Sequence, residues 1–432
     1  MVRDLLDRFL SDANREKLER WAEILWLDLR LGLRNVTRQT RRSALGLIAV
    51  VIGVVALILA AGFFEWNYNA MREGMIQARL GHAQVVKKGY FESGSSDPFA
   101  FLLPESTDDR TLIEAAPHVA AVAPRLSFNG LISRGDATIA FMGQGVDPER
   151  EGKLSGAIKI IDGEGLSKID AKEVILGKGL AENLGAKVGQ TVVLLASTVT
   201  RGVSAVEVKV AGIFVTSAKA YDDYALRLPL KTSQELLRVK GVHAWIVLLD
   251  RTDKTDDFVE RVGPKLKATD IDFLPWHALP EADFYNKTVA LFGKQMGFLR
   301  FLVSVIIVLS ISNTLMNNVR ERIGEIGTCM ALGDTSAIVR RRFMVEGAMM
   351  GFVGGLVGVI AGTIAGIVVD RIGIPMPPPP GMSIGYTAGI RLTFGIGLGS
   401  LALASLTAFI AGIYPAWSAS RLPIVDALRH AR

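Results

Sequence analysis

The chain has 432 residues, of which 50 % are hydrophobic and 21 % are charged. This balance excludes an ordinary soluble enzyme, for which the chain is too apolar, and a protein lying wholly in lipid, for which it is too charged. A net charge of +6 at pH 7 could indicate a nucleic-acid partner. Since the arginines and lysines cluster beside apolar segments, membrane topology explains the charge better, and no nucleic-acid partner is expected.

Residues 1–42 are predicted to form a cytoplasmic amphipathic helix. Leu18, Trp21, Leu25 and Leu29 fall on one helical face, with charged residues mostly elsewhere. Tryptophan suits the headgroup zone of a bilayer, so we expect this helix to lie in the membrane interface. A soluble helix that packs on a partner is the alternative.

Four apolar segments are each long enough, at about 1.5 Å per residue, to cross a bilayer core of about 30 Å. They predict transmembrane helices over residues 43–66, 296–319, 344–369 and 392–417. Arginines precede the first span, so the positive-inside rule has the chain enter the membrane from the cytoplasm.

The same rule assigns the connecting segments to the two sides of the membrane. Residues 320–343 form a cytoplasmic loop that contains three consecutive arginines, and residues 418–432 form a cytoplasmic tail. Residues 370–391 form a short outer loop rich in proline, which forbids a regular helix. Residues 67–295 are extracytoplasmic.

The 67–295 insertion is predicted to be an α+β domain. Helical segments over 179–184, ended by Gly185, and 233–239 lie between stretches that are apolar or alternate in polarity. Residues 281–300 also look helical and run into the next span without a break, so this helix should project beyond the membrane. The predicted strands are 83–86, 137–142, 191–195, 206–215 and 244–249.

Two features of the later spans indicate close packing and polar contacts. Glycines recur every four residues in the third span, which lets helix backbones approach where lipid supplies no hydrophobic drive. The predicted packing glycines are Gly347, Gly351, Gly354, Gly358 and Gly362. Near the end of the second span, polar residues either hydrogen-bond across a subunit interface or are ordinary residues at a helix end; they are Ser310, Ser312, Asn313, Asn317 and Asn318.

No catalytic residue and no metal site are predicted. The histidines are scattered without the spacing of metal ligands, and no phosphate-binding loop is present. A G-x-S-x-G match at Gly381–Gly385 follows four prolines rather than a strand, so chance explains it. Cys329 is the single cysteine, which excludes an intramolecular disulfide. If the protein uses energy, another chain supplies it.

Several segments resemble one family. Glu325–Asp334 and Phe343–Gly347, followed by the glycine repeat, resemble the signature of FtsX-like permeases, the membrane subunits of MacB-type ABC transporters. Tyr414–Arg429 is similar to the same family's terminal motif, and Gly145–Glu149 resembles the lipoprotein-releasing (LolC/LolE-like) subtype. The chain departs from the family at Asp334, where alanine or serine is usual.

The resemblance implies a MacB-type (type VII ABC) fold: four transmembrane helices with a large α+β domain between the first and second. It implies an inner-membrane permease, not an enzyme, that transmits motion from a separate ATPase to its periplasmic domain in order to extract or export a lipoprotein, lipid or amphiphilic cargo. A drug or peptide exporter and a cell-division-type permease that activates a cell-wall hydrolase are the alternatives.

The implied partners follow from the same resemblance. They are an ABC ATPase subunit that binds ATP and magnesium, a second permease copy or paralogue, membrane lipids, and a periplasmic carrier for the cargo. No cofactor is expected in this chain itself.

The ATPase is expected to dock on the 320–343 loop. Glu325 offers a carboxylate to a basic partner residue, Ile326 with Met330 and Leu332 offers an apolar knob, and Gly333 ends the turn. Truncation of a buried anchor in an interface costs far more than removal of a rim charge. Arg322 is expected to be such a rim charge.

Overall fold

The computed structural model describes residues 40–94, 96–154, 158–216, 219–377, 385–424 and 427. The predicted interfacial helix over 1–42 therefore lies almost wholly outside the described residues. The described chain divides into two compact units. Among the described residues, we call those within Met1–Asn67, Leu291–Ile374 and Ala388–Arg432 the membrane unit, and those within Tyr68–Ala290 and Pro375–Thr387 the outer unit.

The α-helices are, in chain order, α1 Thr40–Met75, α2 Tyr90–Ser93, α3 Asp108–Glu114, α4 Pro148–Leu154, α5 Lys178–Leu184, α6 Lys219–Asp222, α7 Leu230–Leu237, α8 Thr255–Val262, α9 Asp283–Glu321, α10 Ile323–Ala331, α11 Ser336–Ile372, α12 Phe394–Ala411 and α13 Ile413–Ser420. A π-helical turn, Ile76–Leu80, follows α1, and short 3₁₀ turns occur at Pro98–Phe101, Thr252–Lys254, Gly263–Lys265, Trp276–Ala278 and Pro280–Ala282.

The strands are β1 Ala83–Lys87, β2 Leu103–Pro104, β3 Val119–Arg134, β4 Ala137–Val146, β5 Lys159–Gly163, β6 Glu173–Gly177, β7 Thr191–Ser197, β8 Val203–Val215, β9 Ala225–Pro229, β10 Gly241–Val242, β11 Ala244–Leu249, β12 Ile271–Pro275, β13 Ile374–Met376 and β14 Tyr386–Ala388.

Four helices of the described chain are long and apolar enough to cross a membrane, namely α1, α9, α11 and α12. A cluster of buried aliphatic side chains joins them, including Val54 of α1, Ile307 of α9, Met350 of α11 and Ala404 of α12. The helix α9 is continuous over 39 residues. At about 1.5 Å per residue it is longer than the bilayer core, so part of it must extend past the hydrocarbon.

The outer unit is built on one large sheet with the strand order β12-β1-β11-β3-β4-β9-β6-β8-β5, and β7 pairs with both β3 and β8. Most pairs are antiparallel, but β4 with β9 and β6 with β8 are parallel. Helices pack on this sheet around a core that includes Leu126, Leu176 and Trp245. The unit is therefore an α+β domain, as the sequence predicted.

Candidate coupling site

The helix α10 is a short element between two long membrane helices, α9 and α11. Its first turn follows directly on α9, and the backbone nitrogen of Ile326 donates to the carbonyl of Arg322 at 2.9 Å. Gly333 has φ +113°, a conformation that residues with a side chain rarely adopt, and this glycine ends the turn. The helix α11 begins at Ser336, two residues after Asp334. Both ends of α10 are thus fixed by backbone geometry.

The predicted docking residues lie on different faces of α10. Leu332 is 85 % exposed, and the side chain of Glu325 is 71 % exposed. Met330 is only partly buried, packed against a cluster beneath the helix. Gly333 is exposed beside Leu332. Leu332 and Glu325 are consequently the docking candidates most open to a partner.

Ile326 differs from the expectation of an exposed apolar knob, because only 8 % of it is exposed. It packs in a cluster with Val319 of α9, Phe343 of α11 and Ala419 of α13. Leu332 lies six positions after Ile326, and six steps of about 100° place the two side chains on different faces of a helix. Ile326 therefore anchors α10 to the membrane unit.

Two further contacts hold α10 and the turn that follows it in place. A Cβ atom added at Gly327 would lie 2.5 Å from the Cβ of Ala427, so the chain after α13 approaches α10 at a glycine. Asp334, at the position where the chain departs from the family pattern, accepts a hydrogen bond of 2.6 Å from Arg342. Since Arg342 is well exposed, this pair adds only a fraction of a kcal/mol, roughly 0–1. It closes the turn between α10 and α11.

A polar network that sequence reasoning did not identify connects α10 with the membrane helices. Arg322, at the start of α10, contacts Glu325 on the surface and Glu346 in the interior of the membrane unit. Asn318 of α9 donates to Glu346. In chain order, Asn318, Arg322, Glu325 and Glu346 are four, three and twenty-one positions apart, and only the packing of α9 against α11 brings Glu346 to the others.

The glycines of α11 pack on two neighbours. Gly347 and Gly351 face α12, where a Cβ at either position would meet Ala408. The second set faces α1: a Cβ at Gly354 would lie 3.0 Å from the Cβ of Val50, one at Gly358 2.7 Å from that of Val54, and one at Gly362 3.1 Å from Cδ1 of Ile58. Two four-residue repeats thus form two faces of one helix, each against a different span.

The outer unit contains a buried charge cluster that the sequence did not reveal. Arg125 and Arg227 both bind one oxygen of Glu151, the second at 2.8 Å. The same arginines donate to carbonyls in the π-helical turn, Arg227 to Ala78 at 3.0 Å and Arg125 to Arg79. They satisfy carbonyls of the π-helical turn Ile76–Leu80, so the cluster fastens this turn to the sheet of the outer unit.

Two buried histidines of the outer unit also serve structure. Burial lowers the pKa of His82 and of His243. Nδ1 of each accepts a backbone N–H, from Leu249 for His82 and from Ser127 for His243. Across the ranges that the structure describes, no three His, Cys, Asp or Glu side chains are grouped to hold a metal ion.

Two parts of this chain match models of known protein families. Residues 43–265 match the family model of the MacB-like periplasmic core domain, and residues 297–424 match that of the FtsX-like permease C-terminal domain.

Three relatives illustrate the similarity. The lipoprotein-releasing system transmembrane protein LolC of Xylella fastidiosa strain 9a5c is 24 % identical over 438 residues, covering 94 % of this chain and 99 % of the relative. The corresponding protein LolE of Haemophilus influenzae is 25 % identical over 71 % of this chain and 73 % of its own. The macrolide export ATP-binding/permease protein MacB of Bradyrhizobium diazoefficiens is 21 % identical over 97 % of this chain and 63 % of its own.

The first family match alone covers more than half of the 432 residues, and the second covers the last three membrane helices together with α10. Four helices suited to a bilayer and an α+β domain between the first and second agree with both matches. The chain therefore belongs to the family of FtsX-like ABC-transporter permeases with a MacB-like periplasmic core domain, and it is a multi-pass protein of the inner membrane.

Proposed function

We propose that this permease is a non-catalytic subunit that receives motion from a separate ATPase at α10 and passes it to the periplasmic domain, which extracts a lipoprotein from the membrane. ATP and magnesium are assigned to the ATPase, since this sequence contains no phosphate-binding loop. A second permease copy or paralogue completes the membrane part, and a periplasmic carrier receives the cargo.

The observation that carries the docking proposal is the exposure of Leu332. A leucine that is 85 % exposed, on a turn whose backbone is fixed by Gly333, presents an apolar anchor in a rigid position. Interfaces derive most of their affinity from such anchors when they become buried in a partner's pocket. The exposed carboxylate of Glu325 adds a charge for a basic partner residue.

Lipoprotein as cargo is supported by the names of the relatives LolC and LolE, which are similar to this chain over most of its length. Export of an amphiphilic drug is the second candidate, supported by the similarity to the macrolide exporter MacB over 97 % of this chain. The two candidates share the same route of motion and differ in cargo alone.

The docking proposal is tested with Leu332→Asp and, as control, Ile424→Asp, which changes an exposed apolar residue elsewhere on the cytoplasmic side. The permease in lipid nanodiscs is titrated with its cognate ATPase. Loss of a central anchor costs about 2 kcal/mol, so Kd should rise about 30-fold for Leu332→Asp and much less for the control. Equal effects of the two variants would refute docking at Leu332.

The cargo is tested with the assembled complex in proteoliposomes. ATP-dependent release of a fluorescent triacylated lipopeptide supports lipoprotein extraction, and ATP-dependent movement of a labelled macrolide supports the second candidate. Leu332→Asp should abolish whichever activity the intact complex has, while the ATPase keeps its basal hydrolysis.

A further inference from the structure

We propose that Arg322 is a positioning residue that links the exposed Glu325 of α10 to the buried Glu346 of α11, so that engagement of Glu325 by a partner is felt inside the membrane unit. This inference rests on the proposed function, because it assumes that the ATPase docks at α10. It assigns Arg322 a central role instead of the rim role that its sequence position suggests.

The geometry places Arg322 between two carboxylates. Its Nε donates to Oε2 of Glu325 at 3.0 Å, and a terminal nitrogen lies 3.7 Å from Oε2 of Glu346. Arginine can serve both because its planar guanidinium carries five N–H groups pointing in different directions. The shorter contact is a hydrogen bond, and the longer one is an ion pair beyond hydrogen-bond distance.

Glu346 gives the link its importance. Only 6 % of this residue is exposed, and it lies in the apolar helix α11. A buried carboxylate is costly unless charges and hydrogen bonds compensate for the lost water. Asn318 donates one hydrogen bond of 3.1 Å to Oε1, and Arg322 places a positive charge near Oε2. A change in the direction of the Arg322 side chain therefore changes the electrostatic environment of this buried carboxylate.

A partner that binds Glu325 would change that direction. A basic side chain arriving at Glu325 competes with Arg322 for the Glu325 carboxylate and repels the Arg322 guanidinium. Arg322 then moves towards Glu346, whose Oε2 lies 3.7 Å from a terminal nitrogen of Arg322. The Arg322 backbone lies at the junction of α9 and α10: its N–H donates to Asn318 and its carbonyl accepts from Ile326. A shift of this residue thus acts on both helices at once.

The alternative is an ordinary surface pair, since Arg322, the residue before α10, and Glu325 are three positions apart and such pairs contribute little. The two interpretations differ in one measurable respect. In a surface pair, changes at Glu325 and Glu346 have independent effects, because neither side chain contacts the other. In a link through Arg322, the effects are coupled, and the coupling requires Arg322.

The test is a triple-mutant cycle on the full-length permease in nanodiscs, first without ATPase. Glu325→Gln, Glu346→Gln and the double variant are prepared with Arg322 and with Arg322→Met. Glutamine keeps the size of glutamate and an oxygen that Asn318 can still bind. The readout is the hydrogen-exchange protection of the Ile326 amide, which reports the start of α10. With Arg322, the effect of the double variant should differ at least threefold from the product of the single effects; with Arg322→Met, it should equal that product.

The same variants are then titrated with the cognate ATPase. Glu346→Gln should change Kd at least threefold although Glu346 is buried, and Arg322→Lys, which keeps the charge, should restore part of the effect of Arg322→Met. Independent effects in the first cycle, or coupling that persists in Arg322→Met, would overturn the link. An unchanged Kd in Leu332→Asp would instead overturn docking at α10, which the cycle without ATPase does not depend on.

Discussion

At the scale of single residues, His82 and His243 make the outer unit sensitive to pH. Protonation would place a hydrogen on Nδ1, which in each ring faces a backbone N–H that it now accepts, from Leu249 and Ser127 respectively. Burial lowers both pKa values below the usual 6.5. The unfolded chain therefore binds protons more readily than the folded chain. The stability that the two neutral histidines contribute is fully present above about pH 6.5 and is lost as the pH falls through their lowered pKa values.

We predict that hydrogen-exchange protection of the Leu249 and Ser127 amides in the intact permease falls between pH 7.5 and pH 5.5. The loss should be at most about tenfold per pH unit for each histidine. Asparagine keeps an acceptor near the place of Nδ1 and does not titrate, so His82→Asn with His243→Asn should flatten the profile. The exposed His277→Asn is the control. A double variant as pH-sensitive as the parent would exclude these histidines as the cause.

At the scale of elements, the two glycine faces of α11 make a prediction that separates packing from helix propensity. A Cβ at Gly358 would lie 2.7 Å from the Cβ of Val54 and 3.1 Å from the carbonyl oxygen of Val51, whereas one at Gly399 of α12 would meet nothing within 4 Å. Alanine raises helix propensity by up to about 1 kcal/mol at either site. Overpacking at Gly358 should cost roughly 1–3 kcal/mol.

Gly358→Ala should thus lower the free energy of unfolding of the permease in mixed micelles, and Gly399→Ala should leave it unchanged or raise it. The two variants add the same methyl group to the same kind of helix, so their difference measures the contact with α1. If both variants were stabilised equally, the close approach of α1 and α11 would be disproved.

The strands of the outer unit show which elements of this fold the sequence alone can predict. Five strands were predictable because their polarity alternates or their apolar run is short and bounded. The 16-residue β3 was not, because Pro124 and Gly130 interrupt it. The structure explains both residues: Pro124 lies opposite Trp245, and Gly130 lies where β3 is shared between β4 and β7. A side chain at Gly130 would collide with the ring of Phe141.

Contacts between distant parts of the chain limited the prediction of the site. Helical spacing was enough to identify α10 and its exposed Leu332, since both are local properties. The burial of Ile326 depends on α11 and α13, and the position of Glu346 beside Arg322 depends on how α9 and α11 pack. Likewise, Glu151 joins Arg125 and Arg227 from positions 26 and 76 residues away. No local pattern reports such pairings.

At the scale of the whole molecule, the direction of the chain through the membrane decides which surfaces meet which partners. Docking at α10 requires that helix in the cytoplasm, and the arginines beside the spans predict this location by the positive-inside rule. The single cysteine of the sequence, Cys329, lies exposed on α10 and is a natural probe of that side. Asp136, exposed at the turn between β3 and β4, provides a matching position on the outer unit.

We predict that a membrane-impermeant maleimide labels Cys329 in permeabilised cells but not in intact ones. The variant Cys329→Ser with Asp136→Cys should be labelled in both, because the outer unit faces the periplasm. Each protein is the control for the other, since both carry one exposed thiol and differ in its location. In the four-helix topology, one membrane crossing, by α9, separates the outer unit from α10. Labelling of both thiols in intact cells, or of neither, would therefore contradict this topology. A reversed pattern would place α10 outside and remove the physical basis for ATPase docking.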